Sequence, residues 1–309
     1  MSKIVAIIVP PKAVSDMTLL KNELSAFGII LSVHTPQRFD RASLYGSLLE
    51  AKSRNTDAII SMLPLPFERE IVGNAFLPAL ELDKFTQFQL FKENLIPTLT
   101  TMPFKFGMKF PGTPLDIVTL KPSILDTSLP SSMLTLRNGV LHQLVPRHFE
   151  QDHPIHKNPY VVQEFIETGT KPTSFRVILF CGVPIMSYRI VSRRERPNLG
   201  NNQVHVGPEF ISNNDVFGWD AWLEANPEMI KWSVAMSFSV GHSPLAKCDL
   251  LYSADKGWRA LEVSGNDFNG WPLGRKTLIQ SLGREAMIKQ FDMFKVMSKQ
   301  ISKVVNWVR

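Results

Sequence analysis

The chain has 309 residues, 44% hydrophobic and 20% charged, enough apolar content for more than one core and too much for a disordered chain. Its net charge of +6 comes from 34 Lys and Arg spread along the sequence against 28 Asp and Glu. Without a dense basic stripe interleaved with aromatics, the expected partner is an anionic small ligand and not nucleic acid. Two cysteines, Cys181 and Cys248, make neither a disulfide framework nor a four-ligand zinc site, so a reducing, cytoplasmic compartment is expected.

The run over 4–9 is continuously apolar, as a parallel strand covered on both faces should be. It is too short to span a membrane, and Pro10-Pro11 ends it without a signal-cleavage pattern. Ser15-Asp16 can cap a helix carrying Leu19, Leu20, Leu24 and Phe27, which Gly28 would end. A second strand over 29–33, a helix over 41–52 and a third strand over 57–62 complete a small open α/β unit. No GxGxxG follows its first strand, so it is not read as a dinucleotide site.

Residues 83–94 read as a helix with Phe85, Phe88, Phe91 and Leu95 on one stripe. Strand composition follows over 116–121, 133–136, 140–145 and 160–165. Strands over 175–180 and 184–191 flank a tight turn at Cys181-Gly182-Val183, and 192–208 reads as a polar loop. A helix near 227–239, strands over 247–252 and 258–263, and one long helical segment over 278–307 close the chain. His142, His148, His153 and His156 are irregularly spaced and read as a surface loop, and Arg193, Arg194 and Arg196 as a solvated cluster.

Activating a carboxylate with the terminal phosphate of ATP needs cations along the triphosphate, oxygen ligands for Mg²⁺, an edge for adenine and a lid against water. The chain offers candidates in a fixed order. Asp83-Lys84 opens a helix running to Ile96-Pro97-Thr98, and Leu120-Lys121-Pro122 ends a strand. Then come Val161-Val162-Gln163-Glu164-Phe165-Ile166-Glu167, Ser174-Phe175-Arg176-Val177, Cys248-Asp249-Leu250-Leu251 and Leu261-Glu262-Val263-Ser264-Gly265-Asn266. In this order the motifs resemble the ATP-grasp superfamily, and within it the ribosomal-protein glutamate ligase-like, peptide-forming branch.

The resemblance implies an α/β fold, α+β in its catalytic part. It comprises a small open-sheet N-terminal domain (1–82), a β-rich lid (83–165) and an antiparallel-sheet catalytic sub-domain (166–309). It implies that Lys84 and Lys121 contact phosphates, and that Gln163, Glu164, Phe165 and Ile166 form the adenine edge with Glu167 toward the ribose. Arg176 and Arg189 would face the triphosphate and the acyl-phosphate, and Asp249, Glu262 and Asn266 would hold Mg²⁺. The implied activity is ADP-forming ligation of a carboxylate to an amine, with ATP and small-molecule or peptide substrates as partners and no membrane; a homo-oligomer is compatible with it. Read without the resemblance, Lys84 is a solvated helix-start residue, and Lys121, ending an apolar strand, is as readily a snorkelling lysine as a ligand. Two departures stand out. The segment after Lys121 runs from Ser123 to Ser132 without a glycine, and Ser264 stands where the family carries its metal asparagine, Asn266 following two residues on. They leave two rival readings: a nucleotide-binding protein without turnover, and a kinase-like phosphotransferase using the same site.

Overall fold

The computed structural model describes residues 2–38, 41–54, 56–64, 76–79, 82–111, 117–123, 134–196, 204–206, 218–241, 243–264 and 271–307. The N-terminal unit comprises β1 (Lys3–Ile8), a 3-10 turn at Pro11–Asp16, α1 (Met17–Ser25), β2 (Ile29–His34), α2 (Arg41–Ser53), β3 (Ala58–Pro64) and β4 (Phe76–Ala79). Its four strands pair in parallel in the order β2-β1-β3-β4. β1 lies inside this sheet, which explains its unbroken apolar run. Val5 and Ile7 pack toward α1, while Ala6 and Ile8 meet Leu44, Leu48 and Ala51 of α2.

Next come α3 (Lys84–Glu93), β5 (Thr101–Pro103), β6 (Ile117–Pro122), β7 (Leu134–Arg137), the short α4 (Asn138–Leu141) and β8 (Tyr160–Glu164). They are followed by β9 (Thr173–Phe180), β10 (Val183–Ser192), β11 (Val204–Val206), β12 (Trp219–Leu223), α5 (Pro227–Ser239), β13 (Leu245–Ser253) and β14 (Gly257–Ser264). Three helices end the chain: α6 (Lys276–Leu282), α7 (Arg284–Lys289) and α8 (Met293–Trp307). Two antiparallel five-stranded sheets result. One, called the lid sheet after the expected lid, has the order β11-β7-β6-β8-β5, and the other, called the catalytic sheet after the expected catalytic sub-domain, has β12-β10-β9-β13-β14.

Several elements differ from the sequence reading. The strand expected over 140–145 is instead the end of α4 and a turn, because Leu141 and Leu144 both point into the lid core, which strand alternation forbids. The single helical segment expected over 278–307 breaks at Gly283 (φ 77) and Asp292 (φ 50), so that Met287, Met293 and Ile301 all reach one core. Leu95 leaves the Phe91 stripe altogether and is 86% exposed. The Leu95 and Ile96 amides bond back to Lys92 O and Phe91 O at 3.1 and 2.9 Å, a Schellman closure that puts Leu95 in the left-handed region (φ 56) and Ile96 into the core. The turn between β9 and β10 is as expected, with Cys181 (φ 48) and Gly182 (φ 77) both left-handed.

The cores do not divide at residues 82 and 165. α3, expected with the lid, contributes Phe91 to the core shared by α5, β13 and β14. One continuous core joins β1 and α1 to the β9–β10 end of the catalytic sheet and to the C-terminal helices. Buried Asp16 reinforces that junction, accepting from Trp271 Nε1 at 2.6 Å and pairing with Arg284.

Candidate active site

Strand alternation gives the catalytic sheet two unlike faces. Phe175, Val177, Leu179, Ala246, Cys248 and Leu250 cover one and pack on Met229 and Met236 of α5. Arg176, Lys247, Asp249 and Glu262 occupy the other. Arg176 stands opposite Asp249, and Asp249 opposite Glu262, so these three ionic side chains form a line across β9, β13 and β14. The Arg176 Nε and Nη2 groups donate to the two Asp249 oxygens at 2.6 and 2.7 Å, a bidentate pair. Between Asp249 and Leu250 the ladder slips by one residue, leaving Leu261 as the extra residue of a bulge beside Glu262. Lys247, buried and two residues before Asp249, belongs to the same face. The sequence reading passed over it, although its alternation with Cys248 was the available signal.

The lid sheet is two-faced as well. Val118, Leu120, Leu136 and Val162 form its apolar core with Phe110 and Leu144. Thr101, Thr119, Lys121, Thr135 and Gln163 are buried on the opposite face, and there Gln163 Nε2 donates to Thr101 Oγ1 at 2.9 Å. Thr135 Oγ1 is fully buried and has no hydrogen-bond partner among the described residues.

The two polar faces meet at Lys121. Burial lowers this lysine to about 8, and the nearby Lys84 pushes the same way, while Glu262 and Asp249 oppose the shift. Burial also raises the Glu262 carboxyl. Lys84, Lys121, Arg176 and Lys247 together outweigh that effect and hold it below the usual carboxylate range. Arg176 is held well above its ordinary value, Asp249 and Tyr188 outweighing its burial. Four cations therefore surround two carboxylates, a surplus of positive charge in a largely buried place.

The start of α3 closes this cluster from the side. Asp83 caps the helix, accepting from the Phe85 and Thr86 amides at 3.0 and 3.1 Å, and also accepts from Ser123 Oγ at 3.2 Å. The Lys84 amide donates to Ser123 O at 2.9 Å, so the residue just past Lys121-Pro122 is tied to the first turn of α3. Lys84 is not the solvated helix-start residue of the isolated reading. Its side chain is 10% exposed, with Nζ 3.6 Å from Glu262 Oε2.

Past β8 the backbone leaves the ladder. The Phe165 amide still donates to Ile117 O at 3.3 Å, and Ile166, the next residue, is buried outside any strand. Such a released segment has the backbone groups needed at an adenine edge.

Two expected side chains lie elsewhere. Arg189 pairs across the ladders with Phe175 and Trp222, so it leaves the sheet on the face opposite Arg176. There its guanidinium lies 5.1 Å from the Trp222 ring centroid. Even spacing along a strand decides the face, and Arg189 is offset by one from Tyr188, which stands opposite Arg176. Glu164 alternates away from Gln163. Its carboxylate accepts from the Thr100 amide at 3.2 Å and pairs with Lys256 in the β13–β14 turn, a strut between the two sheets. Glu167 is exposed beside Arg196, whose guanidinium lies 4.9 Å from the Phe165 ring. Asn266 falls outside the described residues, while Ser264 ends β14 two residues along the face from Glu262. Among the described residues no group of three acidic, His or Cys side chains could by itself hold a metal.

Of the arginines in 193–196, Arg193 and Arg194 are exposed, as expected of a solvated cluster, and Arg196 is half-buried. Arg193 pairs with Asp220 at 2.9 Å, and Arg196 donates to Thr168 Oγ1 at 3.2 Å. In the histidine loop, His153 Nδ1 accepts from the Ile155 amide at 3.1 Å, and its ring packs 4.9 Å from Phe149. A cavity of about 500 Å³ lined by Lys3, Phe27, Ile29 and Asn306 includes none of the residues of the charged cluster. No described helix is long and apolar enough to cross a membrane.

No family model matches this sequence, and no curated protein is significantly similar to it. Solved structures are. D-alanine–D-alanine ligase from Bacillus anthracis superposes with a TM-score of 0.55 at 14% identity, over 97% of this chain and 99% of that one. D-cycloserine synthetase DcsG gives 0.53 at 13% identity, over 98% and 99%. The ATP-grasp ligase PsnB, solved with a minimal precursor, Mg and ADP, gives 0.52 at 14% identity, over 99% and 98%. The chain therefore has the ATP-grasp fold over nearly its whole length, the fold that the motif order implied.

Proposed function

We propose that the chain is an ATP- and Mg²⁺-dependent carboxylate–amine ligase working at the charged cleft between the lid and catalytic sheets. The observation that carries this reading is the line Arg176–Asp249–Glu262, half-buried to buried with a surplus of cations on a fold whose solved neighbours include ligases. Two carboxylates facing one another across a ladder repel, and burial makes both expensive. Packed side by side, they suit a site meant for a divalent cation and a polyanion.

In this reading Lys84, Lys121 and Arg176 bind the triphosphate, and the backbone of Phe165 and Ile166 binds adenine. Gln163 lines the wall. Asp249 and Glu262, hard oxygen donors, hold Mg²⁺ together with the phosphates, and Ser264 or Asn266 supplies a further oxygen. Bound Mg²⁺ would screen the phosphate charge as it builds. A substrate carboxylate oxygen attacks the terminal phosphorus and ADP leaves. An amine nitrogen then attacks the acyl carbon, phosphate leaves and the amine proton passes to solvent. The chain's own share is positioning and charge stabilisation, with no covalent bond to the protein.

The test is ADP release from purified protein with ATP and Mg²⁺, with and without pools of candidate acids and amines. Release that needs both substrates supports ligation. Release with an acceptor lacking any amine favours a phosphotransferase. Binding without release leaves a nucleotide-binding protein. Nucleotide at a hundred times its Kd should stabilise the fold by roughly 2.7 kcal/mol. The metal set is read by comparing Asn266→Ala with Ser264→Ala. If Asn266 is the third ligand, its loss is nearly as damaging as Glu262→Ala, and that of Ser264 is mild.

A further inference from the structure

β14 is an edge strand, paired on one side with β13 and bordered on the other by α3 and, at Ala260, by Pro97 and Thr98. An edge strand leaves alternate backbone groups unpaired, and when buried these must find partners. At Val263 the partner is a side chain. Gln87, 2% exposed, accepts from the Val263 amide through Oε1 at 2.7 Å and donates from Nε2 to Val263 O at 2.9 Å. The same Nε2 donates to Leu82 O at 2.8 Å. The Gln87 amide thus supplies the rung that a sixth strand would have made. Val263 lies between Glu262 and Ser264, and the bulge at Leu261 weakens the β13 ladder just before it.

We propose that Gln87 is a positioning residue for the metal edge of the site, clamping the Val263 backbone so that Glu262 and Ser264 stay aimed at the cleft. The proposal rests on the ligase-type nucleotide reading above. α3 then serves the strand in two ways. Lys84 engages the Glu262 carboxylate, and Gln87, three residues and almost one turn later, holds the backbone beneath it. Gln87 faces Val263 and not the cleft cations, so it carries no ligand itself. A hydrogen-bonded amide is costly to bury without such a use, since its removal leaves both Val263 groups unsatisfied.

The test replaces Gln87 by Met, of similar volume and without the hydrogen bonds, and by Glu, which keeps only the acceptor for the Val263 amide. Hydrogen exchange at Val263 in the ligand-free protein should speed up in Gln87→Met while β13 amides stay protected. The Mg²⁺ concentration giving half-maximal stabilisation by ADP should rise about tenfold to a hundredfold, the usual cost of losing a residue that orients a metal ligand. Nucleotide binding without Mg²⁺ should be unchanged. Gln87→Glu should fall between wild type and Gln87→Met, and it serves as the readout if the Met variant does not fold. A variant with a lower Tm but unaltered Mg²⁺ dependence and Val263 exchange would overturn the proposal, leaving Gln87 a packing residue. A wild-type protein that binds no nucleotide in either condition would sink the ligase reading instead, while the exchange measurement would still report on the clamp.

Discussion

The N-terminal sheet and the catalytic sheet are both buried on two sides, yet they spend their interiors differently. β1 carries apolar side chains on both faces, Val5 and Ile7 against α1 and Ala6 and Ile8 against α2. The catalytic sheet is as apolar on its α5 face but places Arg176, Lys247, Asp249 and Glu262 on the other. Apolar packing on both faces stabilises β1 through burial. Buried ions must first overcome desolvation, and a well-packed hydrophobic set would hold the fold at least as firmly. In the proposed reading the charged face answers to a ligand, and the apolar sheet to folding.

Lys121→Ala breaks the comparison most sharply on the charged side. Losing one preorganised cation should lower turnover by about 10²–10³, roughly 3–4 kcal/mol, with little loss of Tm. Unchanged ADP release would make Lys121 a buried structural residue. On the apolar side, Ile7→Ala should do the reverse. It should cost about 2–5 kcal/mol of stability by denaturant titration, with the nucleotide Kd of the folded fraction unchanged.

Solution pH sharpens the contrast further. Lys121, lowered to about 8, is a cation below that pH and neutral above it. The unfolded chain holds this proton up to the ordinary value of 10.5, so between about 8 and 10.5 the group adds stability as pH rises. If Lys121 holds phosphate as proposed, nucleotide affinity should fall over the same window, and Lys121→Arg should flatten the fall. An affinity that is level from pH 7 to 10 in the wild type would contradict this.

Leu95→Gly tests a smaller effect away from both faces. The left-handed residue closing α3 is exposed, so glycine should relieve its backbone strain and add up to about 1 kcal/mol. A lower Tm would show that Leu95 makes a contact its exposure hides.

Local signals carried much of the architecture. The apolar run of β1, the helix start at Asp83-Lys84 and the Cys181-Gly182 turn each depend on neighbours a few residues away, and all three stand where the sequence put them. Motif order also pointed to the ATP-grasp fold. Breaks at Gly283 and Asp292 were harder to read, since helical periodicity survives a break that re-aims the next helix.

Within the site, the sequence identified which residues bear charge, and the motif order singled out Arg176, Asp249 and Glu262. Strand pairing decided the rest. Register put Arg176, Asp249 and Glu262 in one line and turned Arg189 to the opposite face, because a single residue of offset reverses a side chain. Tertiary packing turned Glu164 into a strut to Lys256 and brought Gln87 against Val263 from 176 residues away. Chemistry within a few residues is encoded locally, whereas which groups meet across a sheet or a cleft depends on registers and contacts that only the folded chain sets.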